Sequence, residues 1–281
     1  MAGMSISRKP EGTAAAHPVS AAAKPGSEMA GNIWRTSSAR DTEVESHLAR
    51  ARLQLPGPDY LEIISRLHDY LQPETYVEIG VEFGTTLKLA QSTTRVVAID
   101  PFPQVAFALP AKHTLYRCTS DDFFADNDLS ALLGAPLELA FIDGLHVFEQ
   151  VLRDFINLEK YASAGTVILI HDCLPLDERT SSRQRQTQFW SGDVWKIVPC
   201  LKRERPELKI CTVPAYPTGL CMVTGLQRHS SCLSDNYAAI IEKYRGLEYR
   251  QITERNSFFS LLPNRWEAVE AFLRNALSHI S

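Results

Sequence analysis

The sequence predicts an α/β fold in which a doubly wound, mostly parallel sheet carries helices on both faces and an antiparallel hairpin at one edge. Two observations predict it. Short apolar runs that suit buried strands alternate with amphipathic segments that suit helices, which is typical of βαβ units and a parallel sheet. Two later apolar runs, joined through prolines and a glycine, suit an antiparallel pair at the edge.

Seven segments are predicted as strands, five of them in the alternating part of the chain. They cover residues 76–79, 95–99, 114–117, 137–142, 166–170, 209–213 and 220–224. Ligands of doubly wound sheets bind at the carboxyl ends of parallel strands. The loops after the first five segments are therefore where functional residues are expected.

Helices are predicted before, between and after the strands, and they are expected to cover both faces of the sheet. Leucine and isoleucine recur at helical spacing before the first strand, where Pro56, Gly57 and Pro58 divide the pattern into two segments and Pro73 ends the second. Further helices are predicted over residues 85–91, 148–161, 194–201, 234–245 and 265–277.

Composition places the chain among ordinary globular proteins. Of its 281 residues, 44% are apolar and 22% are charged. Residues 1–45 are the exception: this segment is rich in Ala, Pro, Ser and Gly, so we expect a disordered N-terminal tail. Residues 46–230 are expected to form the main domain, and residues 231–281 a helical extension packed on it.

Charge and cysteine content exclude several classes of protein. Lys and Arg total 29 against 33 Asp and Glu, a balance that argues against a nucleic-acid-binding protein. We find no apolar run long enough to span a membrane and no secretory signal. The six cysteines contain no C-x-x-C pair, so we interpret them as reduced thiols of a cytoplasmic protein rather than a zinc or redox site.

A glycine-containing loop follows the first predicted strand. Glu78 ends the strand, Gly80 and Gly84 lie in the loop, and Thr85 follows. Glycines at such a turn let the backbone approach a ligand closely. The spacing differs from G-x-G-x-x-G, which argues against a nicotinamide dinucleotide site. By itself the loop is also compatible with a tight turn that binds nothing.

An acid after the second strand strengthens the ligand-binding interpretation. Asp100 lies 20 residues beyond Gly80, where a carboxylate can accept hydrogen bonds from both hydroxyls of a ribose. Ser120 and Asp121, after the third strand, could face an adenine amino group. Together these residues predict a nucleoside cofactor.

These motifs resemble those of class I S-adenosylmethionine-dependent methyltransferases. The pattern is Glu78-x-Gly80-x-x-x-Gly84 with Asp100 after the next strand, and the resemblance covers about residues 76–226. It implies a Rossmann-like fold with S-adenosylmethionine as cofactor. It also implies that Glu78 lies near the methionine amino end, that the glycines admit the cofactor, and that Asp100 binds its ribose. Glu82 stands where the commoner motif has a third glycine, as it does in many small-molecule O-methyltransferases.

A second group of ionisable residues follows the fourth and fifth strands. Asp143 and His146 belong to one loop, and His171 and Asp172 to the next. Neighbouring parallel strands place such loops side by side, so the four side chains should converge. As a set they are hard to explain by packing alone.

Two roles remain open for this group. In the first, Asp143 and Asp172, with His171, bind Mg²⁺ or another divalent cation that orients a substrate hydroxyl and lowers its pKa. In the second, no metal binds, and His146 or His171 acts as the general base while Asp143 helps place the acceptor.

The same residues resemble a bacterial branch of small-molecule methyltransferases. Phe-Ile-Asp-Gly-x-His followed later by Ile-His-Asp is similar to that branch, whose relatives include macrolide-sugar O-methyltransferases and the cephalosporin-hydroxylase group. The resemblance implies metal-binding acids at the ends of the fourth and fifth strands. His171 stands where many metal-dependent members have an acid.

A polar segment over residues 177–188 precedes Trp190, Gly192 and Trp195. Its composition suggests a mobile lid, with a tryptophan side chain lining the site beneath it. We interpret Trp195 instead as a packing residue of the following helix.

The sequence therefore predicts an S-adenosylmethionine-dependent methyltransferase that acts on a small molecule, at a hydroxyl, with a divalent metal as an optional participant. The alternatives are a metal-dependent hydroxylase-like enzyme and a non-catalytic cofactor-binding module. Neither a nucleic acid nor a membrane is an expected partner, and the C-terminal helices offer a surface for a homo-oligomer.

Overall fold

A seven-stranded sheet organises the protein. The computed structural model describes residues 37–278. The strands are β1 (Thr75–Ile79), β2 (Arg95–Ile99), β3 (His113–Tyr116), β4 (Leu137–Ile142), β5 (Ala162–His171), β6 (Lys209–Val213) and β7 (Leu220–Thr224). Their order is β3-β2-β1-β4-β5-β7-β6, and β7 runs antiparallel to both of its neighbours. The predicted fold class, including the edge hairpin, is confirmed.

Helices cover both faces of this sheet. They are α1 (Ser37–Gln54), α2 (Tyr60–Leu71), α3 (Ser120–Asp126), α4 (Leu129–Leu133), α5 (Phe148–Glu159), α6 (Ile197–Glu204), α7 (Cys232–Asp235), α8 (Tyr237–Arg245), α9 (Arg255–Phe259) and α10 (Trp266–Leu277). Three short 3₁₀ turns lie at Leu87–Leu89, Val194–Lys196 and Tyr249–Gln251.

The strands are mostly apolar, as expected for a sheet that is buried on both faces. Side chains alternate between two hydrophobic clusters. Val77 and Ile142 belong to the cluster under α5, whereas Tyr76 and Phe141 belong to the cluster under α2 and α10. Side chains of one strand thus reach both cores, and the carboxyl ends are left to carry polar residues.

Two local predictions differ from the structure. The helix predicted over residues 85–91 is a 3₁₀ turn at Leu87–Leu89, and the Thr86 hydroxyl there donates to Glu78 at 2.8 Å instead of facing solvent. Two β-branched residues at 85 and 86 weaken an α-helical start. In addition, α1 begins at Ser37, so residues 37–45 of the predicted tail are helical. The rest of that tail lies outside the described residues.

The C-terminal helices lie on both faces. Val269 and Leu273 of α10 pack in the cluster with α2, and Ile240 and Tyr244 of α8 pack in the cluster with α5. All six cysteines are free thiols. Within residues 37–278, no helix has both the length and the apolar character needed to cross a membrane.

Candidate active site at the carboxyl edge of the sheet

The loop after β1 depends on its two glycines. Gly80 has φ of 87° and Gly84 has φ of 72°, which are left-handed conformations that favour glycine. A Cβ at Gly80 would lie 2.0 Å from the backbone oxygen of Asp143. The glycine therefore lets the β1 loop pack directly on the end of β4 and brings the two predicted groups of residues together.

Glu78 lies beneath this loop and is fully buried. Its two carboxyl oxygens accept hydrogen bonds from the Tyr76 hydroxyl at 2.7 Å and the Thr86 hydroxyl at 2.8 Å. Burial raises the pKa of Glu78 to about 8, against the effect of these two hydrogen bonds. Its contacts are those of a residue that supports the loop from below, and its contact with a cofactor stays a prediction.

Asp100 organises the loop from the side. Its Oδ2 accepts hydrogen bonds from the backbone of Val81 at 2.8 Å and of Glu82 at 2.9 Å, while Oδ1 accepts one from the backbone of Phe102 at 2.7 Å. A carboxylate oxygen has about two acceptor positions, so Oδ1 keeps one for a ligand. Ribose binding by Asp100 stays a prediction, and the structure adds a role in holding the loop.

Ser120 and Asp121 face α5. The Ser120 hydroxyl donates to the buried Asp154 at 2.6 Å, and the Asp121 carboxylate pairs with Arg153 at 3.0 Å. Burial raises the pKa of Asp154 to about 6. Both predicted adenine contacts are thus already engaged by side chains of α5, and their contact with a cofactor stays a prediction.

The second predicted group converges as the sequence indicates. Asp143 Oδ1 lies 3.2 Å from His171 Nδ1 and 3.6 Å from His146 Nε2. Asp172 Oδ2 lies 3.0 Å from His146 Nδ1, and its Oδ1 lies 3.6 Å from His171 Nδ1. We call these four residues the acid–histidine cluster.

Electrostatics couple the four side chains. Burial by itself would raise the pKa of Asp143, but the charges and hydrogen bonds of His171 and His146 outweigh it and lower that pKa. Burial would likewise lower the pKa of each histidine, but Asp143 and Asp172 outweigh it and raise both. The cluster therefore favours the charged forms of both imidazoles and of Asp143.

Asp172 is the strained member of the cluster. Its φ of 60° is unusual for a residue with a side chain and costs about 1–3 kcal/mol. It is 4% exposed, and its Oδ2 has no hydrogen-bond partner among the described residues, although His146 Nδ1 lies at ion-pair distance. Ligand atoms of Asp143, His146 and Asp172 lie within 4.8 Å of one another, a spacing that could hold a metal ion. The predicted set had His171 in place of His146.

Tyr60 and Thr218 also contact the cluster. Neither of them was assigned to it from the sequence. The Tyr60 ring lies 4.3 Å from the His171 ring, and Thr218 Oγ1 lies 3.4 Å from His171 Nε2. Burial, followed by the charges of Asp143 and Asp172, raises the pKa of Tyr60. Neither residue has a motif around it, so only the folded arrangement identifies them. Trp195 is buried against Phe258 and Phe259, in agreement with its predicted packing role.

An open groove of 530 Å³ is lined by Leu145 and Val147, the residues on either side of His146, but by none of the four cluster residues. Its walls come from the segment around His146, the start of α5, the segment that carries Arg183, and α8; they include Leu145, Val147, Gln150, Tyr237 and Ile241. The volume lies in the range of small-molecule sites.

One part of the chain is similar to a known protein family. Residues 77–173 match the model of a family described as a methyltransferase domain. That segment begins within β1 and ends one residue after Asp172, so it contains both groups of functional residues. The matched segment is thus similar to a methyltransferase domain, in agreement with the resemblance carried by the sequence motifs.

Several solved structures are similar to the chain. Cofactor-bound Rv0187 from MTB is 16% identical, with a TM-score of 0.46, covering 69% of this chain and 94% of that one. An O-methyltransferase from Bacillus cereus in complex with SAH is 15% identical, with a TM-score of 0.43 and coverages of 70% and 94%. TomG from Streptomyces achromogenes, an O-methyltransferase of tomaymycin synthesis in complex with SAM, is 13% identical, with a TM-score of 0.45 and coverages of 69% and 100%. Among curated proteins, none matches at a significant level.

Proposed function

Since residues 77–173 match a methyltransferase domain, we propose that the protein is an S-adenosylmethionine-dependent methyltransferase that methylates a hydroxyl of a small molecule. One observation carries the hydroxyl assignment: the acid–histidine cluster lies at the same sheet edge as the glycine loop, and Gly80 packs against the backbone of Asp143. A group that withdraws a hydroxyl proton is thereby placed beside the cofactor loop.

The cofactor half of the site consists of the loops after β1, β2 and β3. Gly80, Gly84 and Thr85 form the surface that the cofactor approaches, and Asp100 offers one acceptor position of Oδ1 to the ribose. When bound, S-adenosylmethionine supplies a methyl group on a positively charged sulfur. The chain's own contribution is to align the acceptor oxygen with that methyl group and to exclude water.

Exposed apolar side chains support a nucleoside at this place. Phe102 is 83% exposed and Leu145 is 58% exposed, and they follow Asp100 and Asp143, respectively, by two residues. Large apolar groups exposed on loops of a binding edge are typical of a ligand surface. They would provide apolar contacts for an adenine ring.

Asp143, His146 and Asp172 are the residues that would hold a divalent cation. The unpartnered Asp172 Oδ2 supports this proposal, because a buried carboxylate oxygen without a donor is costly unless a cation completes it. Two carboxylates and an imidazole suit Mn²⁺, Fe²⁺ or Zn²⁺ better than Mg²⁺. A bound ion would orient the acceptor hydroxyl and lower its pKa.

Without an ion, the neutral form of His146 is the better placed of the two histidines to take the proton. Its side chain is 28% exposed, against 8% for His171. His171 instead lies between Tyr60, Thr218 and Asp143, where it positions the Asp143 carboxylate. The greater exposure of His146 thus supports His146 as the base, a choice that the sequence left open.

The proposal is tested by supplying methyl-labelled S-adenosylmethionine with a panel of alcohols and phenols, in Mn²⁺ and in a chelator. We expect label in a methyl ether, with chelation lowering the rate if an ion takes part. Iron binding together with oxygen consumption, and no methyl transfer, would favour the hydroxylase-like alternative. Because all six cysteines are thiols, we also propose that the protein works in the cytoplasm.

A further inference from the structure

Trp190 contacts His146 in two ways, although it lies outside the residues that match the methyltransferase domain. Its backbone oxygen is 2.9 Å from His146 Nδ1, at hydrogen-bond geometry. Its indole ring stacks on the imidazole with a centroid distance of 5.6 Å and an interplanar angle of 25°. One residue of the segment between β5 and α6 thus contacts both the face of the imidazole and its Nδ1, which also lies 3.0 Å from Asp172 Oδ2.

The segment around Trp190 is itself fixed against the cluster. The indole Nε1 donates to the Ser182 backbone at 2.6 Å, and the Ser191 backbone donates to Thr180 at 2.9 Å. Gly192 has φ of 59°, and a Cβ there would lie 1.8 Å from the backbone oxygen of His146. Only a glycine allows this approach.

Asp193 ties the same segment to the start of α5. The helix has no side-chain cap of its own, and Asp193 Oδ1 instead accepts from the Phe148 backbone at 2.8 Å. Asp193 is 1% exposed and also pairs with Lys196 at 3.0 Å. His146 is thus held between a capped helix start and the Trp190 segment, so its geometry is defined before any ligand binds.

We propose that Trp190 is a positioning residue for His146: its ring and its carbonyl hold the imidazole so that Nδ1 faces the Trp190 carbonyl and Asp172, and Nε2 faces Asp143. An imidazole whose Nδ1 donates to a backbone carbonyl presents Nε2 as its acceptor or metal-binding atom. Nε2 is the atom 3.6 Å from Asp143 Oδ1. The role of Nε2 as a base or a metal ligand rests on the proposed function. The hydrogen bond of Nδ1 does not, because it can be measured directly.

The test compares Trp190→Ala and Trp190→Phe with Phe189→Ala. Phe189 is the matched control, because it is the preceding aromatic residue of the same segment and stacks on His47 instead of His146. In histidine-labelled protein, ¹⁵N–¹H correlation should show a slowly exchanging Nδ1 proton on His146, assigned by its loss in His146→Gln. We expect Trp190→Ala to lose the exchange protection, and Phe189→Ala and Trp190→Phe to keep it.

Calorimetric titration with Mn²⁺ gives the second readout. Groups that orient a ligating histidine typically change metal affinity by about 10–100-fold, so Trp190→Ala should weaken Mn²⁺ binding by about that factor. Affinity for S-adenosylhomocysteine should stay within about twofold, because Trp190 has no contact with the glycine loop.

The outcomes separate the two proposals. If wild-type His146 shows no protected Nδ1 proton, or if Trp190→Ala and Phe189→Ala lose protection equally, the positioning role is wrong whatever the protein binds. If the proton is present but wild type binds neither Mn²⁺ nor S-adenosylhomocysteine, the positioning role stands and the proposed function is wrong.

Discussion

The two halves of the carboxyl edge treat their acidic residues differently. At the carboxyl ends of β1 and β2, Glu78 and Asp100 receive five hydrogen bonds from hydroxyls and backbone amides of the chain itself. In the loops after β4 and β5, Asp143 and Asp172 face two histidines, and one oxygen of Asp172 has no donor among the described residues.

This difference shows what each half is built for. Carboxylates that are fully bonded shape a loop and change little when a ligand arrives. Carboxylates that face imidazoles instead of backbone amides can exchange these partners for a cation, which is a property that the activation of a hydroxyl requires. Under the proposed function, the first half is therefore the preformed surface, and the second half is the reactive one.

In the second half, the expected effect is the loss of cation binding. Asp172→Asn keeps the size of the side chain and removes its charge, so we expect Mn²⁺ affinity measured by calorimetry to fall by about 100-fold or more. Asp126→Asn, an exposed acid of α3, is the matched control and should bind as wild type does. Equal affinity in both variants would contradict the assignment of Asp172.

Glu78→Gln should stabilise the protein at high pH. The pKa of Glu78 is about 8 in the fold, above its ordinary value of 4.5, so the unfolded chain loses this proton first and stability falls as pH rises through that window. Glutamine does not titrate, so its advantage should grow from pH 5 to pH 8, up to about 5 kcal/mol. Urea unfolding over this range measures it, and parallel curves would contradict the account.

His68→Leu should make the free energy of unfolding less sensitive to acid. His68 belongs to α2 and packs on β1, the strand that precedes the glycine loop. His68 is fully buried against Tyr76, and burial lowers its pKa from 6.5 to about 4. The unfolded chain takes up the proton first, so the wild type loses about 3 kcal/mol as pH falls from 6.5 to 4. Measured by denaturant titration, the variant should lose less free energy of unfolding over this pH interval. An equal loss in the variant and the wild type would contradict the burial argument.

Thr86→Val tests the smallest effect. It removes one of the two hydroxyls that donate to Glu78, so we expect a loss of about 1 kcal/mol in the free energy of unfolding. Thr85→Val, at the exposed neighbouring position, should change stability by less. If the two variants are equal, the Thr86 hydrogen bond does not help to preform the loop.

Strand positions could be predicted from the sequence because burial on both sides leaves continuous apolar runs. The convergence of Asp143 with Asp172 also followed, since neighbouring parallel strands end at one edge. The resemblance to methyltransferases came from residue types at fixed spacing, and the family match agrees with it.

Other features depend on contacts between distant segments and left no local signal. Tyr60 and Thr218 reach His171 from α2 and from the turn before β7, and no spacing rule connects them. The sequence also could not show that Asp100 accepts three hydrogen bonds from the backbone. Nearly every residue has the same backbone N–H donor, so no residue type indicates such a bond. The contact of His146 Nδ1 with a backbone carbonyl left no signal for the same reason.

The central claim is that the preformed half binds the nucleoside, and calorimetric titration with S-adenosylhomocysteine tests it most directly. We compare wild type with Asp100→Asn, in which the retained oxygen can still accept from the Val81 and Glu82 backbone, while an amide group replaces Oδ1, the acceptor for the Phe102 backbone and the proposed acceptor for the ribose. The account predicts binding by the wild type and an affinity at least about tenfold lower in the variant, as expected for a lost charge-assisted hydrogen bond. No heat from the wild type at millimolar ligand, or equal affinity in the two proteins, would contradict it.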